Sequence, residues 1–111
     1  MNSPRPPQEL GDALDTFSRL RILVLGDLVL DEYLEGEMFE ISREGPIPVV
    51  KLASRVRTAG AAGNLACSLK NLGARVSVLS LVGEDPAAEE LLRQLEDKNI
   101  GTESIIRLPS K

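Results

Sequence analysis

Short apolar runs alternate with helix-like stretches through most of this sequence. Residues 22–25 are continuously apolar and are followed by Gly26 and Asp27, which is typical of a strand buried on both faces of a parallel sheet. Two further strand-like runs lie at residues 74–83 and 103–108. Helix-like stretches precede and separate these two runs. The order strand–helix–strand–helix–strand predicts an α/β fold in which right-handed crossovers build a doubly wound sheet.

Both helix-like stretches carry a continuous apolar face and recognisable ends. The first begins after Gly60 and stops at Gly73, a residue type that commonly ends helices. Its predicted buried face consists of Ala62, Leu65, Ala66, Leu69 and Leu72. The second is predicted to be capped by Asp85, with Pro86 at its first position. Its predicted buried stripe consists of Ala88, Leu91, Leu92 and Leu95.

The segments before and between these elements differ in character. Residues 1–8 are proline-rich and polar and are predicted to form a disordered lead, whereas apolar residues at helical spacing predict a short amphipathic helix over residues 9–20. Residues 46–57 combine β-branched side chains with two prolines, which favours exposed or edge strands over core sheet. We therefore expect a folded region over residues 9–111 whose middle lies outside the core sheet.

The composition excludes several classes of function. With 111 residues the chain suffices for one small domain, and its net charge of −4 argues against a general nucleic-acid or anionic-membrane surface. The sequence has no histidine to act as base or metal ligand, and its single cysteine, Cys67, cannot form an intrachain disulfide. It also lacks a membrane-spanning apolar run and an apolar signal core. We expect a cytoplasmic protein that binds neither nucleic acid nor membrane and holds no metal in this chain.

Small residues crowd the start of the first helix, in the run Ala-Gly-Ala-Ala-Gly at residues 59–63, and Asn64 follows them. The first turn of a helix leaves about four backbone N–H groups without partners, and small residues let a ligand approach them closely. Such a turn, together with the Asn64 amide, suits a polyhydroxylated or anionic ligand. The alternative is that glycine and alanine only allow close packing of helix on sheet, with Asn64 as the helix cap. Composition alone leaves both open.

The order of these residues resembles a known signature. Ala59-Gly60, then Asn64 with a small residue two positions on, then Gly73 and Gly83 follow the N-terminal signature of the PfkB (ribokinase-like) carbohydrate kinases. The family usually has a Gly-Gly pair where this chain has Ala59-Gly60, and the spacer to Asn64 is one residue longer than in many relatives.

The resemblance extends upstream and covers about residues 21–107. The run ILVLGDLVLDEYLEG is similar to the opening of the heptose-7-phosphate kinases, the kinase half of the bifunctional ADP-heptose synthesis enzymes. In those enzymes a first strand ends in Gly-Asp and a second Asp follows four residues later, as Gly26, Asp27 and Asp31 do here. The run ISREGPIPVV at residues 41–50 is also similar to a segment of that family.

The resemblance implies a sugar site. Asp31 would accept hydrogen bonds from sugar hydroxyls, because an ionised carboxylate has acceptor capacity only. Gly60 and Asn64 would form the sugar-binding turn, with the Asn64 amide holding a hydroxyl. Asp27 would mainly shape the turn after the first strand, with sugar contact as a lesser role. Arg43 would meet the phosphate of a sugar phosphate as a charge-assisted donor.

The resemblance also implies a fold and a reaction. The fold is a ribokinase-like doubly wound sheet with a small β lid, of which residues 9–111 form the N-terminal part and residues of about 29–57 the lid strands. The reaction moves the γ-phosphate of MgATP to a sugar phosphate, with D-glycero-D-manno-heptose 7-phosphate as first choice, in the synthesis of ADP-heptose for the lipopolysaccharide core. Dimerisation through the lid strands is a further expectation.

The family's catalytic aspartate, its Gly-Ala-Gly-Asp motif and its ATP site lie further downstream than this sequence extends. The run GEDPAAEE that begins at Gly83 is not that motif. We therefore expect this chain to be an N-terminal fragment that holds part of the sugar site, lacks the ATP site and the catalytic base, and is inactive alone.

Two other functions are compatible with parts of the sequence. In a nucleotide-binding Rossmann unit, Gly60-x-x-Gly63 would open a helix, and Glu84 or Asp85, about twenty residues later, would bind a ribose. Against this, the full Gly-x-Gly-x-x-Gly fingerprint is absent and the preceding segment is polar. The other alternative is a degenerate sugar-binding module without catalysis.

Overall fold

The computed structural model describes residues 7–109 of the chain. Its elements in chain order are α1 (Pro7–Thr16), a 3₁₀ turn (Phe17–Arg19), β1 (Arg21–Leu25), β2 (Leu28–Ile41), β3 (Pro48–Ala61), α2 (Ala62–Asn71), β4 (Arg75–Val82), α3 (Pro86–Asp97) and β5 (Ile105–Arg107). Six of the eight positions in the predicted disordered lead, residues 1–6, lie outside the described residues. The other two belong to α1, which begins at Pro7, a residue type suited to a first helical turn.

The core sheet is parallel and three-stranded, in the order β1-β4-β5, with β4 in the centre. Arg21 lies opposite Arg75 and Leu25 opposite Leu79 in the pairing of β1 with β4. Helices α2 and α3 precede and follow the central strand, so the predicted α/β fold class is confirmed. The carboxyl ends of all three strands point to the same edge, the edge at which ligands bind in open α/β sheets.

One face of the sheet carries the core and the other is exposed, so the prediction that residues 22–25 form a strand buried on both faces is wrong for one face of β1. Val24, Val76 and Val78 on the first face are at most 5% exposed and pack with Leu95 of α3. The strand register places four large apolar side chains on the opposite face, and each of them is more than half exposed: Leu23, Leu25, Leu81 and Ile106. Within residues 7–109, no helix is both long enough and apolar enough to cross a membrane.

Strands β2 and β3 form a separate antiparallel hairpin. Each strand has 14 residues, and most of their side chains are exposed. Two register irregularities interrupt the pairing, one between Glu35 and Gly36 and the other between Met38 and Glu40. The prediction that the middle of the chain forms exposed strands outside the core sheet is confirmed. The hairpin spans the region expected for lid strands, whereas the domain limits of residues 9–111 stay a prediction.

The two helices agree with the sequence to different degrees. In α3, Asp85 caps the helix by accepting a hydrogen bond from the Ala88 N–H at 2.8 Å, and all four residues of the predicted stripe are buried. In α2, Ala66 is buried as predicted, but Leu65 and Leu72 are 52% and 45% exposed. The prediction of one buried face on α2 is therefore wrong at these two leucines, because the helix buries its small residues instead, Ala66 in the core and Gly63 against the root of the hairpin.

Candidate functional site

The candidate site lies where the end of β1, the root of the hairpin and the start of α2 meet. The Ala62 N–H at the start of α2 donates a 3.0 Å hydrogen bond to the carbonyl of Asp27, in the link between β1 and β2. A Cβ atom on Gly26 would lie 3.3 Å from the Cβ of Ala62, so the two backbones are in close contact here. The sequence-predicted residues Asp27, Gly60 and Asn64 are thus attached to one corner, at the carboxyl end of β1.

Asp31 and Gly60 meet on the hairpin root. Val29 of β2 lies opposite Gly60 of β3, and Asp31 lies opposite Thr58, so Asp31 and Gly60 are diagonal neighbours. A Cβ atom on Gly60 would lie 2.8 Å from the Cγ of Asp31 and closer still to its Oδ2. Gly60 is buried and Asp31 is half-buried. The carboxylate therefore occupies the space that any side chain at position 60 would need.

The turn from β3 into α2 has an unusual backbone conformation at Ala61. Its φ of 50° and ψ of −123° belong to a region that favours glycine, because a Cβ atom there crowds the backbone. The two glycine-like positions of this turn are therefore 60 and 61.

Asn64 lies inside α2 and does not cap it. Ala61 is the N-cap residue of α2 and offers no side-chain acceptor, whereas Asn64 is the third residue of the helix itself. The alternative in which Asn64 caps the helix is therefore wrong. The Asn64 side chain is exposed, one residue beyond the buried Gly63. Gly63 also serves packing, because a Cβ atom on it would lie 2.9 Å from the Cβ of Ala59.

Arg43 is the one predicted site residue that lies apart from the others. It is in the turn that joins β2 to β3, at the end of the hairpin remote from Asp31. The turn is closed by the Ser42 N–H, which donates to the Ile47 carbonyl at 2.7 Å. Within this chain, the fold brings Asp27, Asp31, Gly60 and Asn64 to the root of the hairpin and leaves Arg43 exposed at its tip.

Sequence reasoning missed Gln94, which connects α3 to the hairpin root. Its Oε1 accepts a hydrogen bond from the Ala59 N–H at 3.0 Å, and its Nε2 donates to the Arg57 carbonyl at 2.8 Å and to Glu90 Oε1 at 3.0 Å. Hydrogen bonds from Arg93 and then Gln94 lower the pKa of the Glu90 carboxyl to about 2. Gln94 is a polar residue beside the buried stripe of α3, and nothing in the local sequence indicates that it contacts β3.

The geometry disfavours the dinucleotide-binding alternative. The turn at Gly60 and Gly63 follows β3, an antiparallel hairpin strand, whereas the Rossmann arrangement needs a strand of the parallel sheet before the glycine-rich turn. Asp85, the candidate ribose-binding acid, accepts the hydrogen bond that caps α3. Within residues 7–109, no group of three or more aspartate, glutamate or cysteine side chains is arranged to hold a metal ion.

Comparison with known proteins assigns the family. Residues 21–111 match the pfkB family carbohydrate kinase. The chain belongs to the pfkB family of carbohydrate kinases. It is 43% identical over 88 residues to the bifunctional protein HldE of Campylobacter concisus, a match that covers 79% of this chain and 19% of that relative. This pfkB-family chain thus spans about a fifth of the length of the curated relative.

Solved structures of sugar kinases share the fold of this pfkB-family chain. A putative ribokinase from Agrobacterium tumefaciens has a TM-score of 0.66 and 25% identity, with coverage of 82% of this chain and 29% of that one. The fructokinase of Xylella fastidiosa with bound ATP has a TM-score of 0.58 and 20% identity, with coverage of 79% and 26%. The parallel sheet with its attached antiparallel hairpin is therefore the ribokinase-like arrangement over this part of the fold.

Proposed function

We propose that this chain forms the sugar side of a carbohydrate kinase that transfers the γ-phosphate of ATP to a hydroxyl of a sugar phosphate. The observation that carries the proposal is the contact between the Asp31 carboxylate and Gly60 at the hairpin root. Family membership supports the reaction class, and this geometry supports the sugar side of it. As in the family generally, positioning of the acceptor hydroxyl is the main contribution that a sugar site makes to such a transfer.

Asp31 has the chemistry that a sugar hydroxyl requires. Its carboxylate oxygens only accept hydrogen bonds, and sugar hydroxyls are donors that can each give one. Hydrogen bonds to a charged acceptor are stronger than neutral ones, so a half-buried carboxylate fixes the orientation of a polyol well. Because Gly60 has no side chain, the Asp31 carboxylate can lie against the backbone of β3, and a sugar ring would meet the carboxylate at this point.

The start of α2 supplies the complementary groups. Ala61 cannot cap this helix with its side chain, and the exposed Asn64 amide in the first turn can both donate to and accept from a hydroxyl. The same helix end carries a partial positive charge, which favours oxygen-rich ligands. Asp27, exposed beside the Ala62 N–H contact, adds a second carboxylate at the same corner.

We propose D-glycero-D-manno-heptose 7-phosphate as the acceptor. The similarity of residues 21–50 to the heptose-7-phosphate kinases and the identity to HldE proteins support this choice. The role of Arg43 as phosphate ligand remains part of the proposal, and it requires that the hairpin tip meet the substrate from a second chain or after a movement of the hairpin. A homodimer through the hairpin would meet the first of these requirements. MgATP supplies the phosphoryl group and, in this proposal, binds outside residues 7–109.

A binding experiment with the full chain tests the proposal. Isothermal titration calorimetry with D-glycero-D-manno-heptose 7-phosphate, ribose 5-phosphate and fructose 6-phosphate is expected to rank the heptose first. Asp31→Asn removes the charge and exchanges one acceptor oxygen for a donor, so we expect affinity for the heptose to fall about 10- to 100-fold. The matched control is Asp12→Asn, which makes the same change at an exposed position of α1 and is expected to bind normally.

Three results would contradict the proposal in different ways. Saturable binding of NAD without binding of any sugar phosphate would favour the dinucleotide-binding alternative. Equal affinity of the Asp31→Asn and wild-type chains would remove Asp31 from the site. Tighter binding of ribose 5-phosphate or fructose 6-phosphate would leave the sugar site in place but overturn the heptose assignment.

A further inference from the structure

The side chain of Gln94 binds the edge of β3 as a third strand would. The Ala59 N–H and the Arg57 carbonyl are two residues apart on β3, and Gln94 pairs with both through its amide oxygen and nitrogen. Residues two apart on a strand present their backbone groups on the same edge, so these two groups lie on the edge away from the pairing with β2. The hydrogen bond from the Ala59 N–H to Gln94 is partly buried, whereas the one from Gln94 to the Arg57 carbonyl is exposed.

The amide of Gln94 is held in one orientation. Its two N–H groups donate to the Arg57 carbonyl and to Glu90 Oε1, and its oxygen accepts from the Ala59 N–H, so a flipped amide would place an oxygen against two acceptors. Glu90 is itself fixed by Arg93, whose Nε donates to Glu90 Oε2 at 3.0 Å. A chain of hydrogen bonds on α3 thus ends at the backbone residue that precedes Gly60.

We propose that Gln94 is a positioning residue for the sugar pocket, which fixes the root of the hairpin on α3 and thereby sets where Gly60 and Asp31 meet. This inference rests on the proposed sugar-binding function. The hydrogen-bond partners of Gln94 are the backbone groups of residues 57 and 59 and the Glu90 carboxylate, and none of them is a residue of the proposed pocket. The hairpin is otherwise a two-stranded unit outside the core sheet, so its placement depends on such contacts at its root.

The first test compares two variants of α3. Gln94→Ala removes both hydrogen bonds to β3. We expect the affinity of the full chain for D-glycero-D-manno-heptose 7-phosphate to fall about 10- to 100-fold, because a small displacement of a binding group is enough for a loss of that size. Amide hydrogen exchange at Ala59 is expected to accelerate in the same variant. Asp85→Ala is the control, because it removes the cap of the same helix without touching β3. It is expected to lower thermal stability and to leave sugar binding and Ala59 exchange unchanged.

The second test separates positioning from simple loss of stability through a pH profile. Gln94→Glu keeps the shape and an acceptor for the Ala59 N–H, but it loses both N–H donors and places a carboxylate beside Glu90. The other charged groups around this position are Arg93 on α3, Arg57 on β3 and Glu32 on β2, which pairs with Arg57. Protonation of the introduced carboxyl restores one donor for the Arg57 carbonyl, and the neighbouring Glu90 carboxylate favours that protonation.

The expected result is that the ratio of Gln94→Glu to wild-type affinity rises as the pH falls from 8 to 5, whereas the ratio for Gln94→Ala stays flat. Normal sugar binding or unchanged Ala59 exchange in Gln94→Ala would overturn the positioning role and leave the sugar site itself standing. If the wild-type chain binds no sugar phosphate, the proposed function is wrong and the role of Gln94 in it is wrong as well. An equal loss of affinity in Asp85→Ala would show that stability, not placement of the hairpin, controls binding.

Discussion

The carboxylate of Asp31 lies against the Cα of Gly60, across the root of an exposed hairpin. This contact depends on two features that are separate in the sequence. The hairpin register makes the two residues diagonal neighbours, and the absence of a side chain at position 60 leaves room for the acid. An acid and a glycine thus form one local unit, at the corner where β1 ends and α2 begins.

The substitution Gly60→Ala tests this unit directly. The added methyl group would overlap the Asp31 carboxylate, so the acid must move, and we expect affinity for the heptose phosphate to fall at least about tenfold. Calorimetric titration of the purified variant measures the change. Gly45→Ala is the matched control, because a Cβ atom at position 45 meets no heavy atom within 4 Å. Wild-type affinity in Gly60→Ala would show that the pocket lies elsewhere.

The sequence predicted α3 well because its determinants are local. The cap at Asp85, the proline at the first helical position and the stripe that includes Leu91 and Leu95 are all encoded within one continuous stretch. The positions of the core strands were predictable for the same reason, since a continuously apolar run of this length is typical of a parallel strand. Burial of β1 on both faces was a wrong prediction, because Leu23 and Leu25 lie on the exposed face of the sheet. Asp27, Asp31 and Arg43 of the proposed sugar site could be named only through the resemblance, which fixes positions without giving their geometry.

The features that were missed depend on contacts between distant segments. Leu65 and Leu72 have helical spacing suited to burial, but the buried face of α2 is decided by the close approach that Ala66 allows to the core and Gly63 to the hairpin. The Gln94 bridge joins residues 35 and 37 positions apart in the sequence, and no local pattern encodes it. The conformation of Ala61 was also hidden, because alanine at a glycine-like position gives no signal of its φ angle.

The strained backbone conformation of Ala61 is expected to lower the stability of the fold. Alanine at a φ of 50° and a ψ of −123° is strained, and glycine adopts this conformation without a Cβ clash. We expect Ala61→Gly to raise the free energy of unfolding by about 1 kcal/mol, measured by urea denaturation. Ala62→Gly is the control, because position 62 lies in the helix, where the same change costs up to about 1 kcal/mol. A loss of stability in both variants would refute the strain argument.

Removing the buried hydroxyl group of Ser80 is expected to stabilise the fold. Its hydroxyl is buried in β4, and within residues 7–109 it has no hydrogen-bond partner. Because an unsatisfied buried hydroxyl costs about 1–3 kcal/mol, we expect Ser80→Ala to raise the free energy of unfolding by about 1 kcal/mol. The exposed Ser18→Ala variant, also measured by urea denaturation, should change stability by less than about 0.5 kcal/mol. A marked destabilisation by Ser80→Ala would mean that the hydroxyl is satisfied in solution.

The lowered pKa of Glu90 leads to a prediction of how the free energy of unfolding depends on pH. Hydrogen bonds from Arg93 and Gln94 lower the pKa of its carboxyl from 4.5 to about 2 in the folded chain. The folded state therefore holds this proton less tightly than the unfolded state does. The stabilisation is fully present above about pH 5 and is lost as the pH falls through the interval between the two pKa values.

We expect the difference in unfolding free energy between wild type and Glu90→Gln to be constant from pH 7 to 5 and to shrink steadily below that. Glu37→Gln, at an exposed position of β2, controls for the loss of one negative charge. A difference that stays the same down to pH 3 would show that Glu90 does not stabilise the fold through its ionised carboxylate.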